Sequence, residues 1–397
     1  VKRVVVRRGR AKPLWLGHPW VFAESVGEVR EGEGEAAPDV VRVVDEAGRE
    51  IGTGLLSERS ALRVRMLALG EPVDAEDLLR RRVASAAALR GRLFPDPAAT
   101  DAYRLVHSEG DGLPGLVVDR YGPVLSAQFA TAPMHRRRDA LAAALLAATG
   151  ARSLIARPAG FEEEEGIDPA SVAFAAGAPC PDVVEVVEEG MALRVSPREG
   201  QKTGHYADQR ENRVRAAEVA AGGEVLDLFC GTGGFSIQAL RRGAASALAV
   251  DGSARAVEAA AANAALNGVG ERLRATRGDV RAALADLRRE GREFDLVVLD
   301  PPNLFPRHGP SEAAVKAHRE TNVLAMVRVR PGGFLATFTC SARLDPTEFL
   351  GIVRAAAREC RRSVAILREL SAGPDHPVSP GAREGRYLTG LLARVGS

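Results

Sequence analysis

The carboxyl-terminal half of the sequence predicts a doubly wound α/β fold, and three observations carry that prediction. Apolar runs at Val225–Phe229, Ala247–Val250 and Phe294–Leu299 have the length and continuity of buried parallel strands. Stretches with helical spacing, Phe235–Arg241 and Ser253–Leu266, lie between them. After the first run, Gly231, Gly233 and Gly234 form a loop in which the backbone can approach a ligand closely.

The first run carries Asp227 near its end, and the second ends in Asp251. Ligands of open parallel sheets bind at the carboxyl ends of the strands, so these acids and the glycine loop are expected to surround one ligand. A dinucleotide site would show G-x-G-x-x-G with an acid about 20 residues further on. Here the frame is Gly231-Thr232-Gly233-Gly234-Phe235-Ser236, which lacks the third glycine. Asp227 also precedes the loop, where it would repel a pyrophosphate. S-adenosylmethionine (SAM) reverses that preference, because its sulfonium and amino group are positive and it carries no phosphate.

Asp-Leu-Phe-Cys-Gly-Thr-Gly, from Asp227 to Gly233, resembles motif I of the class I SAM-dependent methyltransferases. The resemblance implies SAM as cofactor and a seven-stranded doubly wound sheet. It implies a cofactor loop containing Asp227, Phe229, Gly231 and Gly233, with Asp251 and Gly252 at the ribose hydroxyls. Asp279 falls where such enzymes contact the adenine amine, and Asp300 and Pro301 border the cofactor.

The rest of that half continues the alternation. Arg272–Thr276 and Gly332–Thr339 read as strands, and Ser311–Val329 and Phe349–Glu359 as helices. Ser253 is placed to cap the helix that follows it. Val364–Leu367 and Tyr387–Val395 read as a closing antiparallel pair, joined by Ala372–Gly385, a loop rich in proline and glycine expected near the site.

At 397 residues the chain exceeds one typical domain, and the boundaries are expected at 1–72, 73–199 and 200–397. Residues 1–72 form a small β-rich unit, with strand-like runs at Val4–Val6, Val40–Val44 and Leu62–Leu67. Its first twelve residues hold six basic side chains and no acid, which suits either phosphate contacts or a charged edge strand. The segment Gly17–Phe22 (GHPWVF) and the strand pattern after it resemble a PUA domain, an RNA-binding pseudobarrel. Trp15, Trp20 and Phe22 are read as core aromatics rather than base platforms.

Asp74–Arg92 has helical spacing and serves as a connector into a middle α/β domain. There Arg136–Thr149 reads as one helix, and Glu162–Glu165 as a solvated loop. Val183–Val187 and Met191–Val195 read as a hairpin. The polar stretch Gly200–Arg213 (GQKTGHYADQRENR) precedes the first strand of the doubly wound sheet.

Bulk composition excludes more than it selects. Lys+Arg is 54 and Asp+Glu 52, a net charge of +2 that by itself does not argue for nucleic acid. All but four of the basic residues are arginines in an alanine-rich chain, a bias that can reflect genome composition. No apolar run approaches the roughly 18 residues of a membrane span, and no leader pattern opens the sequence, so a cytoplasmic protein is expected. Cys180, Cys230, Cys340 and Cys360 are widely spaced, which speaks against a metal site or a disulfide framework.

Two sites for methyl transfer compete. Asp300-Pro301-Pro302-Asn303 follows the fourth strand and resembles the motif of enzymes that methylate adenine amines. Those place an aromatic directly after the prolines, whereas this chain has Asn303 there and Phe305 two further on. The alternative is Cys340, at the carboxyl end of the neighbouring strand. Carbon 5 of cytosine attacks SAM only after a thiolate has added at carbon 6, and a free cysteine must have its pKa lowered to supply one at neutral pH.

His107–Gly122 (HSEGDGLPGLVVDRYG), the Gly200–Arg213 stretch, the SAM motif and Cys340 occur in the order found in the RlmI-type family of 23S ribosomal RNA cytosine-5 methyltransferases. The similarity spans essentially the whole chain. It implies Cys340 as nucleophile and Asp300 as a second catalytic residue, whose part is either to take the carbon-5 proton or to bind the cytosine amino group. It also implies Lys202, Thr203, Tyr206 and Arg210 over the cofactor cleft, 23S rRNA or a precursor particle as substrate, no metal, no membrane, and a possible homodimer. Arg136–Arg138, the first dozen residues and Arg354 to Arg362 are candidates for phosphate contacts.

Overall fold

A computed structural model describes residues 1–32, 37–198, 205–305 and 311–397. The chain divides into two compact units. The first comprises Val1–Val186, Val195–His205 and Pro374–Gly385; the second comprises Val187–Arg194, Tyr206–Gly373 and Arg386–Ser397.

The first unit contains two sheets. A six-stranded sheet is ordered Trp20–Phe22, Leu62–Leu69, Glu50–Leu56, Val40–Asp45, Lys2–Val6 and Val26–Arg30. Its neighbours are antiparallel except for Lys2–Val6 on Val40–Asp45. The valines that recur at alternate positions, Val4, Val6, Val41 and Val43, meet Leu14, Ile51 and Val64 in its core. Trp15 and Phe22 are 45% and 42% exposed, which corrects the reading of them as core residues; the core is filled by β-branched side chains instead. A five-stranded sheet is ordered Ala175–Gly177, Ser153–Ala156, Val124–Phe129, Leu116–Tyr121 and Ala102–His107. Against it packs the helix Ala75–Leu93, capped by Asp74, whose carboxylate accepts the Asp77 amide at 3.0 Å.

Three other expectations for this unit are corrected. The single helix over Arg136–Thr149 is two, Ala132–Arg136 and Arg138–Thr149, because Arg137 leaves the helical register. Arg136 and Arg137 do not present a free phosphate-binding face: both bond Asp39, and the buried Arg137 also bonds Glu76. Glu162–Glu165 is a short helix, not a solvated loop, and Glu165 is buried where it accepts Arg65 (2.9 Å) and the Ala132 amide (3.0 Å). The loop Pro374–Gly385 also belongs to this unit, where the Asp375 carboxylate accepts the Arg104 amide at 2.9 Å.

The second unit is built on a seven-stranded sheet. Its strands in chain order are β1 (Glu224–Leu228), β2 (Ser246–Asp251), β3 (Leu273–Arg277), β4 (Phe294–Leu299), β5 (Val329–Thr339), β6 (Val364–Ser371) and β7 (Thr389–Val395). The spatial order is β3-β2-β1-β4-β5-β7-β6. The first five run parallel, and β7 lies antiparallel between β5 and β6. Strand β1 is covered on both faces, with Leu226 and Leu228 buried on one and Val225 and Asp227 on the other, and burial of each leucine side chain contributes about 1.5–3 kcal/mol. The register sets Asp227 beside Ala249 of β2 and Val298 of β4. From β1 the chain proceeds first to β2 and β3 on one side and later to β4 and β5 on the other, and this switch in strand order opens a crevice at the carboxyl ends of β1 and β4.

The helix Ala254–Leu266 is capped by Ser253 as expected. The hairpin segment Val187–Arg194 docks on that helix, where Asn267 exchanges hydrogen bonds with Ala192 (3.0 and 2.7 Å) and Asn263 accepts the Arg194 amide. The helix Pro346–Glu359 starts on a reciprocal capping box between Asp345 and Glu348.

Candidate active site

The loop after β1 begins with backbone that side chains rarely adopt. Phe229 has φ +61°, and the amides of Phe229 and Cys230 both reach the Val250 carbonyl, at 2.9 and 3.2 Å. Gly233 (φ +83°) then opens the helix Gly234–Arg241, and a Cβ at Gly233 would lie 2.9 Å from the Cβ of Ala260. This tight reversal directs the loop amides back toward the rim of the sheet.

Asp227 is 1% exposed. Its Oδ2 accepts the amide (3.1 Å) and hydroxyl (2.8 Å) of Ser236, while Oδ1 has no partner among the described residues. Burial pushes its pKa up to about 6 against the pull of the Ser236 bonds and Arg213. On β2, Asp251 accepts the Gly231 amide on Oδ2 (3.0 Å) and the Ser253 amide on Oδ1 (2.9 Å), which fixes a half-buried carboxylate at the mouth of the loop. Gly252 is exposed, with open space where a Cβ would stand. Asp279 is exposed and caps the helix Val280–Arg289 through the Ala282 amide (2.9 Å).

Asp300 follows β4, and its amide approaches the Leu228 carbonyl of β1 at 3.4 Å. Burial, then the charge of Asp208, push its pKa up to about 7, with Arg213 opposing. The buried Pro301 turns its carbonyl oxygen to within 3.8 Å of Cys340 Sγ, so the thiol after β5 and the carboxylate after β4 share one rim. Cys340 is partly exposed. Tyr206 lies among these groups: burial and the charges of Asp208, Cys340, Asp300 and Asp251 push its phenol up to about 12. Arg210 is buried at the start of the helix Arg210–Ala217, whereas Lys202 and Thr203 lie outside the described residues.

Four residues of this site escaped the sequence reading. Arg213 bonds Glu188 at 2.5 Å and the Tyr206 carbonyl at 2.8 Å, and its Nε would stand 2.5 Å from any Cβ at Gly234. Tyr387 donates its hydroxyl to Asp208 at 2.6 Å. Only the density of polar residues in 205–213 hinted at Asp208 and Arg213, and nothing local marks Glu188 or Tyr387.

Cys230 is buried, and burial pushes its thiol well up, as it does to a lesser extent for Cys180 and Cys360. Phe305, the aromatic nearest the two prolines, is buried with its ring 5.6 Å from that of His318, so it offers no face to a substrate base. Burial pulls the His318 imidazole down to about 4 and keeps it neutral near pH 7.

A buried carboxylate oxygen without a partner, a carboxylate held open at the end of β2, and a glycine loop between them suit a ligand that is cationic at one end and carries a ribose. SAM is such a ligand: Asp227 could take its positive end and Asp251 its hydroxyls. Fold and site together define a SAM-dependent methyltransferase. The profile of the PUA-like domain matches residues 4–69, and that described as Conserved hypothetical protein 95 matches residues 212–326. The chain is 36% identical over 397 residues to ribosomal RNA large subunit methyltransferase I of Shewanella denitrificans, with 99% of each covered, and 34% identical to the protein of that name from Cronobacter sakazakii, again with 99% of each covered. It belongs to the ribosomal RNA large subunit methyltransferase I family. Its fold matches a Streptococcus mutans protein assigned as a SAM-dependent methyltransferase (TM-score 0.82, 20% identity, 99% of each chain). It also matches a methyltransferase assignment solved with S-adenosylhomocysteine (SAH; TM-score 0.84, 20% identity, 99% of each chain).

Proposed function

We propose that this protein transfers the methyl group of SAM to carbon 5 of a cytosine in large-subunit (23S) ribosomal RNA, through a covalent adduct with Cys340. The observation that carries the reading is the position of the Cys340 sulfur, partly exposed and 3.8 Å from the Pro301 carbonyl at the carboxyl rim of the sheet. The rRNA substrate follows from the names of the full-length relatives.

SAM supplies an electrophilic methyl carbon. The Cys340 thiolate adds to carbon 6 of the cytosine, and the displaced π electrons make carbon 5 nucleophilic. Carbon 5 takes the methyl group, its proton passes to a base, and the electron pair of that C–H bond restores the ring double bond and expels the thiolate. Asp227 and Asp251 orient the cofactor, and Asp300 faces the pyrimidine. The base must be unpaired or flipped out, since carbon 6 is inaccessible in a duplex. We assign RNA grip to residues 1–72, with 73–199 as the middle domain and 200–397 as the catalytic domain. Amine methylation at the Asp-Pro-Pro-Asn motif is disfavoured by the burial of Phe305, which removes the stacking platform that reaction uses.

The test is methyl incorporation from labelled SAM into unmodified 23S rRNA, with bisulfite sequencing of the product. One protected cytosine is expected, and Cys340→Ala is expected to abolish incorporation while retaining SAH binding. Full activity of Cys340→Ala would exclude the covalent route.

A further inference from the structure

The Cys340 sulfur and the Pro301 carbonyl approach to 3.8 Å, yet both lie just past the ends of their strands. The pairing of β4 with β5 stops at Leu299 and Thr337, so no ladder between those strands reaches the two groups. The proposed reaction tolerates little drift there. A misplacement of about 1 Å can cost about a hundredfold in rate.

The helix Glu312–Met326 packs against β4 and β5 and supports both strand ends. His318 and Asn322 are one turn apart on it, and Thr337 and Thr339 are alternate residues of β5. Four helical residues rise about 6 Å and two strand residues about 6.5 Å, so the two pairs meet in step. Thr337 donates its hydroxyl to Asn322 Oδ1 (2.8 Å), and Asn322 Nδ2 donates to the His318 carbonyl (2.9 Å). His318 Nε2 lies 3.4 Å from the hydroxyl of Thr339, the residue before Cys340. All four residues are 1% exposed or less. Phe338, between the two threonines, faces the other way, with its ring 5.4 Å from that of Phe235 on the helix after the glycine loop.

The same histidine also supports the segment 300–305. The rings of His318 and Phe305 lie 5.6 Å apart with their planes 32° from parallel, and Phe349 stands edge-on to His318 at 6.2 Å. The Phe305 amide in turn donates to Asn303 Oδ1 at 3.0 Å. One side chain therefore touches the strand end that carries the thiol and the segment whose carbonyl meets the sulfur.

We propose that His318, braced by Asn322, is a positioning residue that holds the end of β5 and the segment 300–305 in one arrangement and so sets Cys340 for attack on carbon 6. The proposal rests on the cytosine carbon-5 reading given above. His318 acts on the sulfur only through Thr339 and Phe305. Its Nδ1 is buried and has no partner among the described residues, so a histidine is not what stability alone would select at this position.

The experiment is single-turnover methylation of an unmodified 23S rRNA transcript by the full chain at saturating SAM, with SAH and RNA affinities measured separately. His318→Leu and Thr339→Val are expected to slow methyl transfer by about 10–100-fold while both affinities stay at the wild-type values. His318→Gln, whose amide can stand where Nε2 stood, is expected to recover most of the lost rate. On a transcript carrying 5-fluorocytosine the thiol is not released, because fluorine does not leave as a cation. There the Cys340 adduct is expected to accumulate more slowly in His318→Leu by the same factor. Thr339→Val removes a single hydroxyl and serves if His318→Leu fails to fold. Wild-type rates in the folded variants, a slowing matched by an equal loss of SAH affinity, or His318→Gln as slow as His318→Leu would overturn the proposal. Unimpaired methylation by Cys340→Ala would show instead that the carbon-5 reading had failed, and this inference with it.

Discussion

Ser236 donates both its hydroxyl and its amide hydrogen to one oxygen of Asp227, nine residues earlier, at 2.8 and 3.1 Å. The pair ties the end of β1 to the first turn of the next helix and keeps the other carboxylate oxygen available to a cation. Ser236→Ala removes the hydroxyl bond to a buried carboxylate, at a cost of about 1–3 kcal/mol. It also raises the pKa of Asp227, since those bonds hold it down. SAM binding by the variant is therefore expected to fall away at a higher pH than in the wild type as the solution is acidified. Calorimetric titration with SAM across pH checks this.

Asp227 and Asp300 both carry folded-state pKa values above the ordinary carboxylate range, at about 6 and about 7. A raised carboxylate contributes stability below its unfolded pKa, and that stability is lost as pH climbs through the folded value. The ligand-free protein should therefore lose stability between about pH 4 and pH 7, by roughly 3 kcal/mol for Asp227 and roughly 4 kcal/mol for Asp300. Asp227→Asn and Asp300→Asn should each flatten that decline. Denaturant unfolding at a series of pH values measures it, and identical slopes for wild type and variants would refute it.

Arg213 and Glu188 form a buried ion pair, 5% and 1% exposed. Removing one partner strands a buried charge, so Arg213→Met or Glu188→Gln alone should cost about 3–5 kcal/mol. The double variant should cost less than the sum of the two, by a coupling of about 1–3 kcal/mol. Loss of the Arg213 charge should also raise the pKa values of Asp227 and Asp300, which it now lowers. Unfolding curves of the four proteins test the coupling.

Gly233 combines a left-handed backbone with a Cβ position 2.9 Å from Ala260. Gly233→Ala is expected to cost about 1–3 kcal/mol and to weaken SAM binding, because relief of the clash shifts the loop. Gly268→Ala, also at positive φ but with open space around it, should cost less and leave binding unchanged. Thermal unfolding and SAM titration of the two variants give the comparison.

Legibility of the chain followed the range of the interactions involved. Strands β1, β2 and β4 and the helix after Ser253 were readable because hydrophobic period, strand length and cap chemistry are written within a few adjacent residues. The antiparallel pairing of β6 with β7 was readable, and so was the glycine loop. The break at Arg137 was not, because the residue leaves the helix to reach Asp39, 98 positions away. Glu165 looked like part of a solvated acidic run, and its burial depends on Arg65, a hundred positions distant. The exposure of Trp15 and Phe22 was not readable either, because valines from several strands fill the core those aromatics were expected to occupy.

The amino-acid order by itself determined the doubly wound sheet, the glycine loop with Asp227 and Asp251 on its two sides, and Cys340 at a strand end, since local patterning specifies each of these. Tertiary structure alone decided what surrounds them: Arg213 against Glu188, Tyr387 on Asp208, and the Pro301 carbonyl beside the Cys340 sulfur. The physical reason is that protonation and reactivity depend on burial and on charges a few ångströms away, and folding draws those charges from segments that share no local pattern.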